Sequence, residues 1–109
     1  MLAPANDTLG LAEGVETALS AIMLLDIPVW ATLGSERLAH IAIPDSVTRL
    51  ILLPDNDRAG RIGAAKAMEA YVMPGRTIEV LWPPHGFNDW NDVLRAKGKE
   101  VEDWMRQAA

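Results

Sequence analysis

The chain contains no cysteine. That excludes disulfides, thiolate zinc sites and thiol nucleophiles, and it fits a reducing compartment. Histidine is scarce too: His40 and His85 stand far apart, with no second His at metal-ligand spacing. Aromatic residues beyond four Trp are limited to one Tyr and one Phe. No apolar run approaches the ~20 residues needed to span a bilayer. No basic-then-apolar secretory pattern opens the sequence, so a cytoplasmic location and no membrane partner are expected. Positive charge is in short supply as well. Up to Asp57, eight acids face only Arg37 and Arg49, whereas the remainder is nearly balanced, and the formal net charge is -5. A nonspecific nucleic-acid binder shows the opposite, a basic face. Any work on nucleic acid therefore calls for metal ions, a partner or another domain.

What remains is a 109-residue chain that is half hydrophobic, enough for one domain with one modest core. There is no internal repeat, low-complexity tract or linker. Strands are expected at residues 9–12, 29–32, 49–53 and 77–81. Helical patterns fall at 16–25, 60–72, 92–96 and 100–107, with a short helix at 35–41. Strands alternating with helices predict a parallel α/β sheet with right-handed crossovers. In the helix after residue 60, Ile62, Ala65, Met68 and Val72 recur at helical spacing, and the Met and Leu residues of such faces are expected in the core. Gly63, Ala64 and Ala67 keep that helix slim, and Pro74-Gly75 stops it. Trp30 is expected in or beside the core, and Trp82 at the end of the last strand.

The most informative stretch is Leu50-Ile51-Leu52-Leu53-Pro54-Asp55-Asn56-Asp57. An uninterrupted apolar run reads as a strand covered on both faces. It delivers two carboxylates one residue apart, and in extended chain Asp55 and Asp57 share a side while Asn56 points elsewhere. Hard oxygen ligands at a strand's carboxyl end suit Mg²⁺ or Mn²⁺. The plainer reading makes these residues turn formers and helix caps. A third acid, Glu13, closes the first strand, followed by Gly14, which permits a tight turn into a helix. In a sheet ordered 2-1-3-4, strands one and three are neighbours, which brings Glu13, Asp55 and Asp57 into one crevice. At ~4 Å and an effective dielectric of ~20, two carboxylates repel by about 4 kcal/mol. A cation would relieve that repulsion.

Three separated motifs carry a family resemblance: Glu13-Gly14-Val15-Glu16-Thr17-Ala18-Leu19, Asp55-Asn56-Asp57-Arg58-Ala59-Gly60 and Asp89-Trp90-Asn91-Asp92. Together they resemble the Toprim domain, in particular the primase type of phages, plasmids and mobile elements. The resemblance covers nearly the whole chain and implies a four-stranded parallel sheet in the order 2-1-3-4 with helices on both faces. It also implies metal-dependent nucleotidyl transfer by a DNA primase on single-stranded DNA. Asp55 and Asp57 would bind Mg²⁺ or Mn²⁺, with Glu13 as ligand or general acid–base, in a two-metal arrangement. Implied partners are template, nucleotides and a helicase or other replication proteins. Residues 1–109 then form a single catalytic domain, expected to belong to a larger primase. Asp89, Asp92 and Arg58 are further site candidates, although Asp89 or Asn91 would equally cap a helix. Family members commonly carry a Lys before this Asp, where Asn88 stands here. Tyr71 is expected mid-helix as packing. A Toprim nuclease and a noncatalytic interaction domain are the alternatives. A haloacid-dehalogenase-type phosphatase fits less well, since its D-x-D follows the first strand. A receiver domain would need a fifth strand and its Lys.

Overall fold

The computed structural model describes residues 7–108. In chain order the elements are β1 (Thr8–Ala12), α1 (Val15–Leu25), β2 (Val29–Ala31), a 3-10 turn (Ser35–Arg37), β3 (Arg49–Leu53), α2 (Arg58–Tyr71), β4 (Thr77–Val80) and α3 (Trp90–Ala108). The four strands form one parallel sheet in the order β2-β1-β3-β4. All four strands appear where the hydrophobic pattern put them.

Side-chain alternation explains why both sheet faces are covered. Leu9 and Leu11 of β1 and Leu50 and Leu52 of β3 join Leu38, Val47, Ala67 and Tyr71 on the α2 side. Ala12, Ile51 and Leu53 join Ala18, Ala21 and Val29 on the α1 side, where Trp90 of α3 also packs. The central strands β1 and β3 are thus apolar on both faces, which is why they read as continuous apolar runs. Trp30 is half-buried against the first cluster.

The helix expected at 35–41 is only a 3-10 turn over Ser35–Arg37, and the fold departs from expectation at four further places. First, α2 faces the sheet with its small residues. Gly60, Gly63, Ala64, Ala67 and Tyr71 are buried, while Ile62 and Met68 are exposed and Val72 is 71 % exposed. The reason is close approach. A Cβ on Gly63 would stand 2.9 Å from the Ser35 carbonyl oxygen of the 3-10 turn, so a side chain at that position would collide. Leu19 and Met23 of α1 are likewise exposed rather than core. Second, the two C-terminal helices are one, running through Gly98. A solvated helix-interior Gly costs only ~1 kcal/mol and need not break the helix. Third, Tyr71 is the last residue of α2, not a mid-helix residue. Its hydroxyl donates to the Leu38 carbonyl at 2.6 Å and accepts from the Ile41 N–H at 2.8 Å. Burial pushes its phenol above the usual range. Fourth, Gly14 is extended, at φ -121°, and a Cβ there would meet nothing within 4 Å, so the turn after Glu13 does not demand glycine.

No described helix is long and apolar enough to cross a membrane.

Candidate metal centre

Glu13 and Asp55 leave the carboxyl ends of adjacent, register-paired strands: Ala12 lies opposite Leu53. The turn beyond β2 fixes the first of them. Gly34 donates its N–H to the Glu13 carbonyl at 2.8 Å, and Thr32 donates its N–H to the Ala12 carbonyl at 2.8 Å. To do so Leu33 adopts φ 63° and Gly34 φ 137°, values that L side chains rarely take. Strain is thus accepted next to the first acid.

Glu13 is only 8 % exposed, yet its carboxylate meets another acid's backbone rather than a cation. Its Oε2 accepts the Asp55 N–H at 2.6 Å, a charge-assisted bond that fixes the side chain over the D-x-D. Asp57 is the N-cap of α2, its Oδ1 accepting from the Gly60 N–H at 2.6 Å. Gly60 has no freedom here, because a Cβ would fall 2.1 Å from the Asp55 carbonyl oxygen. Asp89 caps α3, its Oδ1 accepting from the Asp92 N–H at 2.8 Å. The capping reading therefore holds for Asp57 and Asp89 as geometry. It does not compete with a ligand role, since each cap engages one oxygen of its carboxylate.

Asp55 carries the electrostatic consequence. Its Oδ1 is buried and has no hydrogen-bond partner among the described residues. Its carboxyl is pushed up to about 7, first by burial and then by the charges of Glu13, Asp89 and Asp57. The ion pairs among the described residues are Arg49–Glu79 and Arg106–Asp103, so none reaches these four acids. Among the described residues, no ion pair offsets the charge of these carboxylates.

Not every sequence candidate joins the group. Asp92 contributes its backbone N–H to Asp89. Arg58 opens α2 exposed, with no ion pair to another described residue. Two polar links went unforeseen. Ser20 Oγ donates to Asn91 Oδ1 at 3.0 Å, and Asn91 Nδ2 donates to Glu16 Oε2 at 3.3 Å, tying α3 to α1. Asn56 ties the D-x-D to the segment ahead of Asp89. The polar, non-charged residue type within each acidic motif was the available signal.

Among the described residues, no three Asp, Glu or His side chains are placed together so as to hold a metal ion. Mg²⁺ does not require three: it is commonly held by one or two carboxylates plus waters and substrate phosphates. An all-oxygen donor set with a buried, unpartnered Asp55 oxygen fits such an ion.

The Toprim domain family matches residues 8–100. The chain belongs to the Toprim family. Solved structures agree. A DNA primase domain from Pseudomonas aeruginosa superposes with a TM-score of 0.63 at 25 % identity, covering 83 % of this chain and 29 % of that one. The primase fragment of the bacteriophage T7 primase-helicase gives 0.66 at 22 % identity, covering 94 % and 45 %. A third structure is the bacteriophage T7 lagging-strand DNA polymerase interacting with primase domains of two gp4 subunits bound to an RNA/DNA hybrid and dTTP. It gives 0.65 at 22 % identity, covering 94 % of this chain and 55 % of that one. The chain thus spans from under a third to about half of these neighbours. Comparison with curated proteins gives no match. This Toprim domain has DNA primase domains as its structural neighbours, in keeping with its primase-type motifs.

Proposed function

We propose that this Toprim domain is the nucleotidyl-transfer module of a DNA primase that makes primers on single-stranded DNA. In this reading Glu13, Asp55 and Asp57 hold Mg²⁺ or Mn²⁺. The observation that carries it is the uncompensated acidic group at the carboxyl ends of β1 and β3, with Asp55 pushed up to about 7. A bound divalent cation would supply charge neutralisation at the phosphates and a more acidic 3′-hydroxyl.

The chain's own residues do the rest. Asp57 is fixed by its cap bond, and Glu13 by the Asp55 amide, so both carboxylates are oriented before substrate arrives. Glu13 also serves as the proton acceptor of the site. Arg58, exposed in the first turn of α2, is available to substrate phosphates. Template, nucleotides and a helicase are the partners this role needs, and the net charge of -5 makes flanking regions necessary for holding DNA. A phage or plasmid replication protein working in the cytoplasm is the setting that the motif wording supports.

Template-directed dinucleotide synthesis tests the proposal, using the domain joined to primase flanking regions. Glu13→Gln keeps the shape of the side chain but removes its charge and its proton-accepting site. The expected loss is ~10²–10⁴-fold in rate at an unchanged melting temperature. Wild-type rates in a folded Glu13→Gln protein would remove Glu13 from the chemistry. A loss that tracks unfolding would make the residue structural.

A further inference from the structure

Asn56 sits between the two aspartates, and its hydrogen bonds run away from them. Its backbone N–H donates to the Asn88 carbonyl at 2.6 Å. Its side-chain Nδ2 donates to the Phe87 carbonyl at 3.0 Å and to the Pro83 carbonyl at 3.4 Å. All three acceptors belong to residues 83–88, an irregular stretch with Gly86 at φ 93° that leads directly into Asp89. Only a side chain with two N–H donors on one nitrogen can serve both carbonyls at this reach. On the far side of Asp89, Asn91 is held by Ser20 and Glu16 of α1. Asp89 is therefore clamped from both directions, and the nearer clamp grows out of the D-x-D itself.

We propose that Asn56 is a positioning residue that sets Asp89 beside Asp55, and so makes Asp89 a working member of the metal centre. The proposal rests on the metal-binding reading above. Asn56 touches no reacting group; it acts through the segment it holds, as outer residues orient the ligands of a metal site.

Mn²⁺ affinity of the chain, read by electron paramagnetic resonance, forms the test, with wild type, Asn56→Ala, Asp89→Asn and the double variant in one cycle. Asn56→Ala should weaken Mn²⁺ binding by ~10-fold with little change in melting temperature, because the bonds it removes lie near the surface. The double variant should bind no more weakly than Asp89→Asn alone, since both changes remove one contribution. Amide hydrogen exchange should quicken at residues 86–92 and not in β1 or β3. If Asn56→Ala does not fold, Asn56→Ser, whose donor is too short to bridge both carbonyls, carries the same cycle. Wild-type affinity in the folded Asn56 variant, or losses that simply add, would overturn the proposal while leaving the metal reading intact. A wild-type chain that binds no Mn²⁺ would overturn both.

Discussion

The two ends of β3 are built on opposite principles. At its amino end Arg49 lies on Glu79 of β4, with Nε to Oε1 at 2.9 Å and a second contact at 3.3 Å. Each shifts the other toward its charged form, Arg49 upward and Glu79 downward. Nearby, the Arg76 guanidinium donates to the carbonyls of Val47 at 2.9 Å, Tyr71 at 3.1 Å and Pro44 at 3.0 Å. That fork joins the end of α2 to the segment entering β3. At the carboxyl end Glu13, Asp55, Asp57 and Asp89 assemble with no cation among the described residues, and Asp55 is held toward its protonated form. At one end the chain neutralises its own charge. At the other, no ion pair among the described residues offsets the acids, at a cost in Coulomb repulsion and in the strained turn at Leu33. Under the proposed function, the difference separates the part that holds the fold from the part that takes the cation.

Substitutions at the two ends should therefore move stability in opposite directions. The largest effect is expected from Arg76→Ala, which deprives three carbonyls of a charged donor. It should cost about 2 kcal/mol in urea denaturation. A loss within a few tenths of a kcal/mol would show that water replaces the fork, and the contrast between the ends would weaken.

A pH-dependent effect is expected at Asp55. Its carboxyl titrates at about 7 in the fold against an ordinary 3.8. The folded state thus holds the proton more tightly than the unfolded chain. The resulting support is fully present below 3.8 and is lost as pH climbs through about 7. Asp55→Asn cannot ionise, so in the metal-free chain its stability relative to wild type should rise across that window. Thermal melts of both proteins from pH 4.5 to pH 8 would show the gap opening. A pH-independent gap would mean that the acids are too well solvated to repel. Divalent metal should close it at high pH, since the cation replaces the proton.

Much of this was legible in the residues because the relevant signals are local. Continuous apolar runs in β1 and β3 announced a sheet covered on both sides, and the alternation of strands with helices announced its parallel sense. Glu13, Asp55 and Asp57 were legible because strand order alone places the ends of β1 and β3 together. The face of α2 was not. Periodicity favoured the larger Ile62, Met68 and Val72, whereas the buried face is Gly60, Gly63, Ala64 and Ala67, with Gly60 and Gly63 pressed against Asp55 and Ser35. Interelement distance leaves no trace in a hydrophobic pattern. The clamp from Asn56 left only one trace, the uncharged polar residue inside the acidic motif, for a related reason. Its acceptors are backbone carbonyls 27 and 31 residues away, and carbonyls carry no sequence signature.

The central claim is that the acids at the carboxyl ends of β1 and β3 act together on a divalent cation. Calorimetric titration of the chain with Mn²⁺ at pH 7.5 tests it most directly, alongside Asp57→Asn and Asp55→Asn. Saturable binding by the wild-type chain and at least ~10-fold weaker binding by either variant are expected, with both variants remaining folded. No binding by a folded wild-type chain, or equal binding by all three proteins, would contradict it.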